Sequence, residues 1–356
     1  MPDAPVPNMK QKPPLPDVIR SEDELLDQLT RPSAALIEFI LTLSGPLVVL
    51  GAGGKMGPTL CGLAKRATEE AGHPLEIIAV SRFSDAGAQQ WLAARGITTV
   101  RADLLDRAAV MALPDAPDVI NLTGLKFGTG RNPALTWATN TLGPALVAER
   151  YAASRIVALS TGNVYPLVPV AEGGAREEQP LTPLGEYANA AVARERIFHY
   201  FSQRNATPIA LIRLNFAVEL RYGVLVDIAR RIWEERPIRL SNGSFNCIWQ
   251  GDANEIILRS LPLATSPADA WNLSSPKPFS VREVAGQFGE RLGKPPIFEG
   301  TEAPDSFICN PAKLCARLGP PATPVSRVID WIAQWIRNNG VLWEKSTSFE
   351  VRDGGY

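Results

Sequence analysis

VVLGAGGKMGPTL, residues 48–60, sets three regularly spaced glycines between a short apolar run and a segment suited to a helix. The run PLVVL (46–50) reads as a buried strand, and Pro58 is the kind of residue that opens a helix. Gly51, Gly54 and Gly57 follow the spacing G-x-x-G-x-x-G, while Met56 stands where the pattern G-x-G-x-x-G would need its last glycine. Glycines at such a turn let the chain reverse tightly, let the backbone approach a pyrophosphate and let the helix pack close to the sheet. The helix N-terminus adds amide donors and a positive dipole. The loop therefore implies a dinucleotide held by Gly51, Gly53, Gly54, Lys55, Met56 and Gly57.

Outward from this loop, strands and helices alternate. Apolar runs at 75–81, 97–103, 118–124, 155–161 and 206–215 predict further strands, with helical segments such as SDAGAQQWLAARG between them. The alternation predicts an α/β, Rossmann-type, doubly wound parallel sheet over residues 46–215. From 216 to 340 the pattern is less regular and predicts a smaller substrate-binding lobe, with 246–257 returning to the first domain. Residues 1–20 read as a loose tail and 21–44 as helices on the domain edge. Residues 341–356 read as a tail without helical periodicity, and it and the 21–44 helices are placed over the site or a subunit contact.

Composition removes several function classes. With 36 basic and 37 acidic residues and no block of like charge, nothing favours a nucleic-acid partner. Four scattered cysteines and two histidines give no metal-ligand spacing, so no metal is expected and the cysteines read as reduced, in a cytoplasmic protein. The proline-rich start is neither a signal peptide nor an anchor, and residues 34–43 are too few to span a bilayer.

The end of the second strand selects the dinucleotide, because a carboxylate there would bind an adenosine ribose. Ser81 and Arg82 stand there instead, which suits a 2′-phosphate, and Lys55 would add a second cation. NADP is favoured; Asp85, close by in sequence, keeps NAD open.

In this order the motifs resemble the extended short-chain dehydrogenase/reductase family, which includes sugar-nucleotide epimerases and dehydratases, from about residue 46 to 336. GAGGKMG resembles its glycine loop, and Asp103-Leu104 its adenine-facing pair. VINLTGLKFG resembles the fourth-strand segment, bringing Leu122, Thr123, Gly124 and Lys126 to the cofactor. TNTLGPALVAE supplies Asn140 and Gly143, and VALSTGNVYP supplies Thr161. GEYANAAVARERIF resembles the catalytic helix, with Tyr187 and Glu195. The resemblance implies that Tyr187 exchanges a proton with a substrate hydroxyl while Thr161 holds the same oxygen. It also implies frequent homodimers through two flanking helices.

On the catalytic helix one residue departs from the family. The lysine one turn after the tyrosine, which lowers its pKa, is Ala191. Three readings stay open. A cation from elsewhere fills the place, Lys126 or, at a larger helical offset, Arg194. Alternatively the charge of a retained nicotinamide suffices, or the chain is a dinucleotide-binding regulatory or scaffold protein without turnover. Asn163 stands where dehydratases of the family carry a carboxylate. Phe245 stands where nucleotide-sugar enzymes place a diphosphate-binding arginine, and Glu299 and Glu302 lie where further cations belong. Asn163, Asn215, Phe216 and Trp249 are expected to line the substrate pocket. The expected function is NAD(P)-dependent oxidation or epimerisation at a secondary hydroxyl of a carbohydrate-like or aromatic-alcohol small molecule, and not of a nucleotide sugar.

Overall fold

The computed structural model describes residues 15–355 apart from 127, 129, 130, 344 and 346. The first part of the expected loose tail lies outside the described residues, but residues 15–20 are packed. Ile19 is buried, and the Pro16 carbonyl accepts the indole N–H of Trp331 at 2.8 Å.

Seven strands form one parallel sheet: β1 (Leu47–Leu50), β2 (Ile77–Ser81), β3 (Thr98–Arg101), β4 (Asp118–Asn121), β5 (Arg155–Thr161), β6 (Ile209–Leu214) and β7 (Asp269–Leu273). Their order is β7-β6-β5-β4-β1-β2-β3, which reverses direction at β1 and β4. All four residues of β1 and of β4 are buried, because helices cover both faces of the sheet. The reversal opens a crevice at the carboxyl ends of these strands, where doubly wound sheets bind ligands.

One face is covered by α2 (Ala34–Ile40), α3 (Gly57–Ala71) and α7 (Gln250–Arg259), the other by α4 (Pro133–Arg150) and α5 (Gly185–Asn205). Gly57 has no room for a side chain against the Ala52 backbone, so α3 can begin directly beneath the loop. The return to the sheet is longer than the expected 246–257: it includes α7 and also β7, which pairs with β6 from Asp269 to Leu273. It lies beyond the region where strands and helices alternate regularly, which hid its sheet membership.

The second lobe is built on α6 (Val224–Trp233), α8 (Val281–Leu292) and α9 (Val325–Arg337), around a core containing Phe245, Trp249, Phe288 and Trp331. The helix α1 (Glu22–Leu29), capped by the Ser21 hydroxyl, adds Leu25 and Leu29 to this core. No described helix is long and apolar enough to cross a membrane.

Candidate active site

The crevice divides into connected cavities. One, of about 450 Å³, is lined by Gly51, Gly53, Gly54, Ser81, Arg82, Asp103, Leu104, Leu122, Thr123 and Gly124. These are ten of the residues expected to hold the dinucleotide. A side chain at Gly51 would meet Leu122 and Thr123, and one at Gly53 would lie 2.7 Å from the Ser81 hydroxyl, so the glycines keep this cradle open. Two polar atoms beside it, Thr123 Oγ1 and Arg194 Nε, are buried without a hydrogen-bond partner. Orphaned groups in a glycine-walled cradle suit a polar, phosphate-bearing guest.

A second cavity, of about 200 Å³, lies deeper between the lobes. Met56, Lys126, Thr161, Asn163, Tyr187, Asn215 and Phe216, which come from separate segments of the chain, all line it. Tyr187 sits in the first turn of α5 and is 8 % exposed. Thr161, at the end of β5, donates to Asn163 Oδ1 at 3.1 Å and accepts the Asn163 N–H at 3.2 Å. Asn215 donates to Asn246 Oδ1 at 2.7 Å and to the Phe307 carbonyl at 3.2 Å, which ties the sheet to the second lobe. Phe216 has φ of 45°, a conformation that bulky residues avoid, held where the chain leaves the sheet beside the cavity.

Two cations stand near the place of the missing lysine. Ala191 is fully buried in a small core with Val164, Tyr165 and Ile308. The Lys126 ammonium lies 5.9 Å from the Tyr187 ring centroid and 5.8 Å from that of Phe216; burial lowers its pKa to about 8. Arg194, two turns beyond Tyr187, also reaches the site. Its Nη1 donates to the Thr123 carbonyl at 3.0 Å and to Asn140 Oδ1 at 2.9 Å, directly under Gly124. Seven residues return a helix to nearly the same face, and the length of an arginine spans the remaining rise. Asn140 donates in turn to the Leu125 carbonyl at 3.2 Å, so Arg194 and Asn140 brace the loop that carries Lys126.

Deeper still, Glu195 accepts from Ser160 and forms an ion pair with Arg213 at 2.8 Å. Arg213 also donates to the Tyr165 hydroxyl at 2.6 Å. This buried network fixes α5 against β5 and β6 immediately below the tyrosine.

Three expectations are corrected. Lys55 does not turn toward Ser81 and Arg82: its ammonium donates to the Ala217 carbonyl at 2.7 Å and lies 4.2 Å from the Tyr222 ring centroid, in the deeper cavity. Trp249 is 1 % exposed and packs edge-on against Trp331, so it belongs to the lobe core and not to the pocket wall. Glu299 and Glu302 lie exposed and paired with Arg239 at 3.5 Å and Arg282 at 2.7 Å, and so oppose no anion in the cavity. Asp85 accepts the Gly87 N–H at 2.9 Å as a helix cap and lines a neighbouring cavity with Gly53 and Gly54, so the NAD alternative stays open.

The tail contributes residues that no local pattern announced. Lys345 lines the dinucleotide cavity, and Trp343 lies 4.8 Å from the Arg221 guanidinium and 6.0 Å from the Tyr222 ring. Thr347 lines the deeper cavity and donates its N–H to Asp227 at 2.8 Å. Phe349 packs 6.5 Å from Phe245, and Gly354 rests on Leu184 and Gly185 at the start of α5.

Sheet, glycine cradle and tyrosine helix together define an enzyme of the extended short-chain dehydrogenase/reductase type that works with a nicotinamide dinucleotide. The model of the NAD dependent epimerase/dehydratase family matches residues 47–236, more than half of the chain, and the protein belongs to that family. No curated protein sequence matches the chain. Similar solved structures include UDP-glucose 4-epimerase of Thermus thermophilus in complex with NAD, at 21% identity over 82% of this chain and 99% of that one, TM-score 0.67. UDP-glucuronic acid 4-epimerase of Bacillus cereus, in complex with UDP-glucuronic acid and NAD, is 15% identical over 83% and 100%, TM-score 0.68. dTDP-glucose 4,6-dehydratase of Bacillus anthracis, with NAD, is 16% identical over 83% and 97%, TM-score 0.69. At these identities the likeness is one of fold.

Proposed function

We propose that the protein is an NAD(P)-dependent oxidoreductase or epimerase acting on a secondary hydroxyl of a small carbohydrate-like or aromatic molecule that is not a nucleotide sugar. The bound dinucleotide would supply a hydride acceptor or donor, held by Gly51, Gly53, Gly54 and Gly57 and by the 122–124 loop. Tyr187 takes the hydroxyl proton as the C–H bond is given up, and returns it when the carbonyl is reduced. Thr161 orients that oxygen by hydrogen bonding. The neighbouring Lys126 ammonium stabilises the phenolate that must form, replacing the cation lost at Ala191.

The observation that carries the small-substrate reading is the path of residues 347–354. In the resemblance, Phe245 stands where a diphosphate-binding arginine belongs, and the chain's own Phe349 packs against it. Arg231 pairs with Glu350, and Arg352 pairs with Asp305 at 2.5 Å, so nearby cations are engaged within the chain. A nucleotide arm would have to displace this strap. Expected in a dinucleotide-linked assay is turnover of free sugars, sugar acids or aryl alcohols and none of UDP-glucose; faster turnover of UDP-glucose than of any free substrate would overturn the reading.

NADP is the proposed dinucleotide. With Lys55 turned away, the support is Ser81 and Arg82, with Lys345 in the same cavity. NADPH is expected to bind about 10- to 150-fold more tightly than NADH, the value of one charge-assisted contact, and Arg82→Ala to remove most of the difference. Calorimetry giving tighter NADH in the parent protein would assign the ribose to another group.

The reading also proposes a homodimer through α4 and α5, where Trp137, Leu142 and Tyr200 expose apolar surface. A light-scattering mass of one chain would end that part of it.

A further inference from the structure

Lys55 and Lys126 approach the deeper cavity from different walls, the glycine loop and the loop after β4. Among the described residues lining this cavity there is no aspartate or glutamate. The nearby carboxylates are committed elsewhere. Glu219, fully buried, pairs with Arg221 at 3.1 Å, and Asp227 accepts both the N–H and the hydroxyl of Thr347. The polar wall also includes Ser160, Thr161, Asn163, Asn215, Thr347 and the two tyrosines, with Phe216 and Met56 as apolar surface. A desolvated cation favours an anion beside it. Here two converge beside the hydroxyl-handling tyrosine.

We propose that Lys55 and Lys126 form a cradle for a carboxylate on the substrate, so that the molecule oxidised or epimerised is a small hydroxy acid, of the sugar-acid or aryl hydroxy-acid class. This rests on the function proposed above and names its substrate class. The carboxylate lies between the two ammonium groups and neutralises them, while the hydroxyl carbon is presented to Tyr187 and Thr161. Lys126 then serves twice, stabilising the phenolate and anchoring the acid, and Lys55 is the specificity residue. A glycine-loop side chain thereby reads the substrate.

The state of Lys55 adds a pH signature. Burial lowers its pKa to about 7; Lys126 and Arg221 push in the same direction, while Glu219 and Asp227 oppose it. The rings of Tyr222 and Tyr187 are the other titratable groups at this cavity. An acid prefers the protonated lysine, so its affinity falls as pH rises through about 7, and a neutral ligand of the same shape shows no such fall.

The test is calorimetric binding to the full chain saturated with NADP or NAD, using matched probes: benzoate with benzamide, and galacturonate with galactose. In at least one pair the acid is expected to bind about tenfold or more tightly, the value of one charge-assisted contact. Lys55→Met should reduce that preference to the share Lys126 supplies, leave the neutral partner unchanged and move the fall in affinity from about pH 7 to about pH 8, where Lys126 loses its proton; Lys55→Arg should keep much of the preference. Circular dichroism checks that both variants fold. Equal affinities within both pairs overturn the cradle, as does an acid preference undiminished in Lys55→Met. Weaker dinucleotide binding in Lys55→Met with no change for the acid also overturns it, and gives the lysine to the cofactor's pyrophosphate. Acid binding that depends on Lys55 but is never followed by turnover keeps the cradle and defeats the proposed activity. Turnover of neutral alcohols without acid preference does the reverse.

Discussion

Tyr187→Phe is expected to lower kcat by about 10²- to 10⁴-fold, the range that one positioned acid/base supplies, while the fold and the dinucleotide affinity stay near those of the parent. The substitution removes one oxygen from a ring that lines the substrate cavity and is 8 % exposed, so it opens no large void. Lys126 remains beside the ring and Arg194 still braces the loop beneath. Steady-state kinetics together with a dinucleotide titration separate the two quantities. Turnover that survives the change would assign the proton transfer to another group, with Lys126 the first to examine, since its lowered pKa of about 8 lets it exchange a proton near neutrality.

Glu195→Ala is expected to cost about 3–5 kcal/mol of stability, because it strands a buried guanidinium. Arg213 is 5 % exposed and makes its only ion pair among the described residues with Glu195. Losing the carboxylate also removes the acceptor of the Ser160 hydroxyl. Tyr165, whose hydroxyl accepts from Arg213, has its pKa raised by burial, so it cannot readily become the replacement anion. Equilibrium denaturation measures the loss, and Glu195→Gln, which keeps the acceptor oxygen, should be less damaging. A loss below about 1 kcal/mol would mean that water or a shifted side chain reaches Arg213.

The parts of the molecule legible in its sequence are those whose causes are local. A glycine turn between an apolar run and Pro58 needs no distant contact to be understood, nor do strands buried on both faces. Tyr187, Thr161, Lys126 and Asn163 reach one cavity because each holds a fixed place at the end of a strand or the start of a helix, and the sheet brings those places together. What stayed hidden depends on partners far away in the chain. Lys55 points as it does because of the carbonyl of Ala217, which belongs to the second lobe. Trp249 could serve a pocket or a core equally well by composition, and Trp331 decides it. Arg194 stood in sequence only as a candidate at a larger helical offset, and its contacts with Thr123 and Asn140 come from distant segments. Glu299 and Glu302 looked like an obstacle to anions only while Arg239 and Arg282 were out of view.

The strap of residues 347–354 gives the protein a history as well as a shape. The strand that completes the sheet ends at Leu273, whereas a wall of the catalytic cavity is supplied by Thr347 and the clamp on the tyrosine helix by Gly354. A chain emerging from the ribosome thus completes its sheet first and receives the Thr347 wall of the cavity on the order of ten seconds later, at ordinary rates of synthesis. During that interval the glycine cradle exists without that wall beside it. An arrested or clipped product ending near residue 340 would keep that condition permanently: a competitor for dinucleotide whose second cavity lacks the wall at Thr347.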